Sequence, residues 1–146
     1  MSLMQIPRKI EYALRAMIYM ADRPAGVARG SEIARHEQIP KYYLEKVIRD
    51  LMHRGLVHAR RGPGGGYQLA RHPKLISALD VINAVDGPVV ITSCVTNHGN
   101  CDQSLKCTIR EPLRRVNDSI AQVLRSVTIS QMTEDSPDGE LVGLSI

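Results

Sequence analysis

The chain has 146 residues, 43 % hydrophobic but only 3 % aromatic, with no Phe and no Trp, and its formal net charge is +4. That length allows one compact domain with an appended element, and a core limited to Leu, Ile, Val, Met and Ala suits helices better than a sandwich or barrel. No run approaches the roughly 18 apolar residues of a membrane span, and no basic start leads into an apolar core and a small-residue cleavage site. The expectation is therefore a cytoplasmic protein with no membrane partner, whose basic balance points to an anionic one. Met1-Ser2-Leu3 reads as an added scar, with the natural chain starting at Met4.

Ile10, Ala13, Leu14, Met17, Ile18 and Ala21 fall on one face at helical spacing, which predicts a buried first helix ending near Asp22, Pro24 and Gly26. A short second helix is expected from Ser31 as N-cap, with Glu32 in its first turn and a break around Gln38. Pro40 fits the first turn of a third helix, whose inner face is Leu44, Val47, Ile48, Leu51 and Met52 and whose stop is Gly55. Leu56 to Arg61 reads as a strand and Tyr67 to Ala70 as its return, joined by the glycine-rich tip Gly62-Pro63-Gly64-Gly65-Gly66. Ser77 with Asp80 three residues on forms a capping box opening a fourth helix, which ends at Asp86-Gly87-Pro88. Residues 89–108 hold all three cysteines and little periodicity. Beyond them Thr108 and Glu111 suggest a helix start, with Pro112 in the first turn. Leu113, Val116, Ile120, Val123, Leu124 and Val127 then make a coiled-coil-like stripe that must pack on the first domain or on another chain. From Thr133 to Gly143 the chain is acidic with Pro and Gly, which predicts a loose tail. The expected division is residues 4–88, 89–108, 109–132 and 133–146.

Short helix, tight turn, second helix and basic hairpin together describe a winged helix-turn-helix, in which one helix enters a major groove and the wing reaches the neighbouring minor groove. The outward residues of the third helix are Lys41, Tyr42, Glu45, Lys46 and Arg49. Lysine and arginine can neutralise phosphates or read guanine, and Glu45 can accept from cytosine N4 or repel other sites. In the wing, Arg60 and Arg61 precede a thin tip containing Gly64 and Gly65, suited to entering a narrow, strongly negative minor groove. A solvated helix face and an ordinary hairpin are the bland alternative, which the combination of helix and wing disfavours. The glycine run is not a P-loop, because it lacks the Lys-Ser/Thr ending and joins two strands.

Cys94, Cys101 and Cys107 are spaced C-x6-C-x5-C. In a cytoplasmic chain such clustering points to metal or redox chemistry. From spacing alone an iron–sulfur cluster, a zinc site completed by His98 and three unliganded thiols stand level. No nucleophile–base pair, HExxH or dinucleotide fingerprint is present, so an enzyme is not expected.

Ile10-Glu11-Tyr12-Ala13-Leu14-Arg15-Ala16, Tyr43-Leu44-Glu45, Gly55-Leu56-Val57 and Arg61-Gly62-Pro63-Gly64-Gly65-Gly66-Tyr67 resemble the Rrf2 family of winged-helix regulators, whose branches include the IscR, NsrR, RirA and CymR types. The likeness runs from about Met4 to Met132. It implies a fold that is mainly α with a small β-wing, a winged helix-turn-helix followed by a long C-terminal dimerisation helix. It also implies a homodimer on a near-palindromic DNA operator, with Tyr42, Tyr43, Glu45, Lys46 and Arg61 at DNA-contacting positions. Cluster-binding members keep three cysteines in this segment, which favours a two-iron or four-iron iron–sulfur cluster on Cys94, Cys101 and Cys107. The IscR type has a histidine three residues after the last cysteine, where this chain has Arg110. Some NsrR-type proteins use a first-helix carboxylate from the partner subunit, which matches Glu11. A surface glutamate beside Arg8 and Lys9 is the plain alternative for that position. The expected mechanism is that cluster binding orders residues 94–107 and that its loss resets the spacing of two recognition helices. A cofactor-free regulator, controlled by thiol oxidation or an inducer, is the competing expectation.

Overall fold

A computed structural model describes residues 5–23, 26–90 and 109–134. They form helices α1 (Arg8–Ala21), α2 (Gly30–His36) and α3 (Lys41–His53), strands β1 (Val57–Arg60) and β2 (Gly66–Leu69), a 3-10 turn (Pro73–Leu75), and helices α4 (Ala78–Val85), α5 (Arg110–Ser126) and α6 (Ile129–Glu134). The winged-helix order expected from the sequence is the order observed.

Helix α1 is the centre of the packing, with α3, α4, α6 and β2 against it. Its buried residues are Ile10, Tyr12, Ala13, Ala16, Met17 and Met20, a wider arc than the expected stripe, while Leu14, Ile18 and Ala21 are half-buried. A helix covered from several sides buries more than one stripe. Met17, Met20, Ile33, Leu44, Ile48, Leu51, Ile76, Val81 and Ile129 are the largest fully buried side chains, so aliphatics and methionine fill the interior. Methionine's flexible chain suits it to irregular gaps that an aromatic-poor core leaves.

The turns are set by local chemistry. After α3, Leu56 N–H donates to Leu51 O and Gly55 N–H to Met52 O, both at 3.0 Å, with Gly55 at φ 73°. This is a Schellman stop, which needs a left-handed residue at that point. Helix α2 closes in a related way, with Ile39 N–H on Ala34 O at 2.9 Å and Gln38 at φ 55°. Ile39 and Ile33, which flank this stop, are both buried in the core. Ser77 and Asp80 form the expected capping box, each accepting the other's backbone N–H at 3.0 Å.

Four boundaries differ from expectation. Helix α2 begins at Gly30 with Arg29 as N-cap, not at Ser31. The reason is a pair of backbone bonds: Ala28 N–H donates to Tyr67 O at 2.8 Å and accepts from Tyr67 N–H at 2.7 Å. They fix the chain against β2 just before the helix. Pro40 is the N-cap of α3 rather than inside its first turn. Helix α5 starts at Arg110 with Ile109 as N-cap and Pro112 in its first turn, while Thr108 lies outside the described residues. The expected single helix over 109–132 is two helices, and the second runs through Thr133 and Glu134, the start of the expected tail. Thr128 and Gln131 cap α6 reciprocally, with Thr128 N–H on Gln131 Oε1 at 3.0 Å and Gln131 N–H on Thr128 Oγ1 at 3.2 Å. Ala78 N–H to Val127 O at 2.8 Å and Ile129 N–H to Ile76 O at 2.9 Å stitch this break onto the entry to α4. The C-terminal helices are thereby anchored to the winged domain.

Candidate nucleic-acid interface

Helix α3 buries Leu44, Val47, Ile48 and Leu51 and leaves Lys41, Tyr42, Tyr43, Glu45, Lys46 and Arg49 exposed. Tyr42, Glu45, Lys46 and Arg49 are spaced i, i+3, i+4 and i+7, so they share one stripe. Met52, assigned to the inner face from the sequence, is 40 % exposed. It lies with Glu45, Ile48, Arg49, Ala59 and Tyr67 along a shallow depression of about 320 Å³ between α3 and the wing. Helix α3 and the wing therefore form one continuous face.

The wing pairs Val57 with Leu69, His58 with Gln68, Ala59 with Tyr67 and Arg60 with Gly66. Ala59 and Tyr67 face α3, so alternation puts Arg60 and His58 on the opposite face of the ribbon. Arg61 sits past the strand end, exposed, at the start of the tip. Among the described residues none of Lys41, Lys46, Arg49, Arg60 and Arg61 is engaged in an ion pair. Lys41, Lys46 and Arg49 on α3, with Arg61 at the tip, against the single Glu45 give this face a positive potential, as phosphate contact requires.

The tip glycines have different reasons to be glycine. Gly64 is exposed with open space around it. Gly65 donates its N–H to Gly62 O at 2.9 Å, and a side chain there would collide with the Arg60 carbonyl. At Gly66 a Cβ would fall 2.5 Å from Ala28 O, inside the bridge that fastens the wing to the domain. Gly66→Ala is thus expected to cost about 1–3 kcal/mol, the usual range for overpacking. Urea denaturation checks this, and an unchanged midpoint would show that the bridge does not constrain the wing.

Ser31 and Gly30 lie beside Lys41 and Glu45 around a second small depression. From the sequence, Ser31 is expected only as a cap. Its nearness to α3 depends on the α2–α3 angle, which the sequence does not display.

Glu11 is exposed in the first turn of α1. Lys9, the cation expected beside it, instead pairs with Asp86 at 2.7 Å. Glu11 has no ion-pair partner among the described residues, so its carboxylate is available as a ligand. Cys94, Cys101, Cys107 and His98 lie outside the described residues, and within these no three His, Cys, Asp or Glu side chains come together.

The Rrf2 family model, described as iron-dependent transcriptional regulator, matches residues 6–135. The chain belongs to the Rrf2 family. The Escherichia coli HTH-type transcriptional regulator IscR is 32 % identical over 133 residues, covering 90 % of this chain and 82 % of that protein. The solved structure of CymR, the global cysteine regulator of B. subtilis, superposes with a TM-score of 0.74 at 29 % identity, covering 91 % and 98 % of the two chains. T. potens IscR gives 0.75 at 27 % identity, covering 92 % and 90 %. Like its Rrf2 relatives, this chain is a DNA-binding transcriptional regulator and not an enzyme. Among the described residues no helix is long and apolar enough to cross a membrane.

Proposed function

We propose that this protein is a homodimeric, cytoplasmic repressor whose operator affinity is set by an iron–sulfur cluster held by Cys94, Cys101 and Cys107, with Glu11 of the partner subunit as fourth ligand. The observation that carries the DNA-binding half is the continuous basic face of α3 and the wing. Lys41, Lys46 and Arg49 dock against phosphates and guanine edges, with Tyr42, Tyr43 and Glu45 between them, while Arg61 enters the minor groove and Gly64 and Gly65 keep the tip thin.

Dimerisation is supported by α5. Ile109, Val116 and Val123 are 57 %, 45 % and 62 % exposed and recur every seven residues, a repeat suited to a second helix. The rest of the expected stripe turns inward: Leu113, Ile120 and Leu124 are half-buried, and Asn117 donates Nδ2–H to Val89 O at 2.9 Å. Ile120 and Leu124 also line an apolar groove of about 440 Å³ with Ile6, Ile10 and Val90, which widens the face open to a second copy.

The cluster supplies a group sensitive to iron supply, oxidants or nitric oxide. Three thiolates from one segment leave a fourth position, and an oxygen ligand there makes the set labile, which suits a sensor. Glu11 is well placed for this role because α1, which carries it, also packs on α3. A displacement of α1 therefore bears on the reading helix. The likeness to CymR supports a second reading, a cofactor-free regulator that switches through its thiols.

Selection of duplexes from a randomised library by the intact chain tests the DNA-binding half. The expected product has two inverted half-sites about 10 base pairs apart, centre to centre, or a multiple of that spacing. Enrichment of a single unrepeated site, or of none, would overturn the dimeric reading.

A further inference from the structure

Three tyrosines connect the interior to the DNA-reading face. Tyr12 of α1 is 8 % exposed and is the one aromatic residue among the buried core side chains described. Its ring meets Tyr43 of α3 edge-on, with centroids 5.8 Å apart and planes at 66°. Tyr43 in turn meets Tyr42 edge-on, at 6.3 Å and 86°. Exposure rises along the series to 47 % at Tyr43 and 76 % at Tyr42.

Little else described restrains these rings. The first turn of α3 has no side-chain cap and no acidic residue, and no side-chain hydrogen bond to Tyr42 or Tyr43 is present among the described residues. An exposed tyrosine without such contacts exchanges rotamers freely, and ordering it on binding costs affinity. Edge-to-face contacts select ring orientation because each positive ring edge seeks a negative ring face. Tyr12 cannot yield easily, because it is held by the densely packed α1.

We propose that Tyr12 is a positioning residue for sequence reading: it fixes Tyr43, and through it Tyr42, in the orientation that contacts base edges. This rests on the reading of α3 as the recognition helix. Tyr12 itself never meets DNA. The tyrosines bring no positive charge to phosphate, so they add nothing to counterion release. Their loss therefore lowers discrimination between sequences and leaves general affinity for duplex in place.

The test uses the duplex enriched by the wild-type chain and a shuffled duplex of the same composition. Tyr12→Leu is expected to lower the ratio of the two affinities by about three- to tenfold, with unchanged affinity and salt dependence on the shuffled duplex. Tyr12→Phe, which keeps the ring, retains the wild-type ratio. Tyr43→Leu lowers the ratio, and in Tyr12→Leu/Tyr43→Leu the two losses do not add. A wild-type ratio in Tyr12→Leu, equal losses on both duplexes, or additive losses would overturn the proposal. Should Tyr12→Leu not fold, Tyr12→Met replaces it. Tyr43→Leu decides independently, since a wild-type ratio there leaves Tyr12 nothing to position. Failure of the wild-type chain to enrich any duplex removes the recognition-helix reading itself, a result distinct from a silent Tyr12 variant.

Discussion

Replacing Lys46 and Arg49 together by alanine is expected to weaken binding to the enriched duplex by about two orders of magnitude, because each such contact contributes roughly 1–3 kcal/mol. Both side chains are exposed, unpaired by acids among the described residues, and on the stripe shared with Tyr42 and Glu45. Alanine keeps the helix intact, so stability should move by less than about 0.5 kcal/mol. Salt titration separates the roles of the two cations. If both neutralise phosphates, affinity falls on all sequences and the slope of log affinity against log salt drops by about 1.8. If they read guanine, the loss concentrates on the enriched duplex. A loss below about threefold on that duplex would show that this face of α3 is not the reading surface.

The second large effect is expected at the cysteines. Purified without oxygen, the wild-type chain should be brown and carry iron with acid-labile sulfide, and Cys101→Ala should be colourless and carry neither. Removing one of three thiolates leaves at most two soft donors from the segment, too few to retain a cluster that is normally held by four ligands. Glu11→Ala should behave differently, loading the cluster but losing it faster, because the three thiolates remain. Iron and sulfide analysis of the three proteins distinguishes these outcomes. Zinc in place of iron in the wild-type chain would transfer the cysteines to the alternative that His98 completes.

Much of the fold was legible because its punctuation is local. Gly55, the Ser77–Asp80 box and the glycine-rich tip each signal a turn through their own backbone or side-chain bonds. The arc buried on α1 was less legible. Tyr12, Ala16 and Met20 are buried because α1 is covered by α3, α4, α6 and β2 together, and no periodicity within α1 reports that. The break in the C-terminal helix did carry a signal, Thr128 with Gln131 three residues on, masked by an apolar stripe running through Val127. That stripe in fact divides, with Ile120 and Leu124 turned toward the chain's own α4 side and Val116 and Val123 toward solvent. The exposed charged residues of α3 could be picked out by helical spacing alone. The contact of Tyr12 with Tyr43 could not, since it depends on how α1 crosses α3.

The claim that a cluster sets operator affinity is tested most directly by binding the enriched duplex without oxygen, using cluster-loaded protein and the same preparation after chelation of its iron. The loaded form is expected to bind more tightly by about tenfold or more, within the range usual for coupling between two sites. Equal affinities, or a wild-type protein that binds fully while containing no iron or sulfide, would contradict it and leave a winged-helix regulator governed by its thiols.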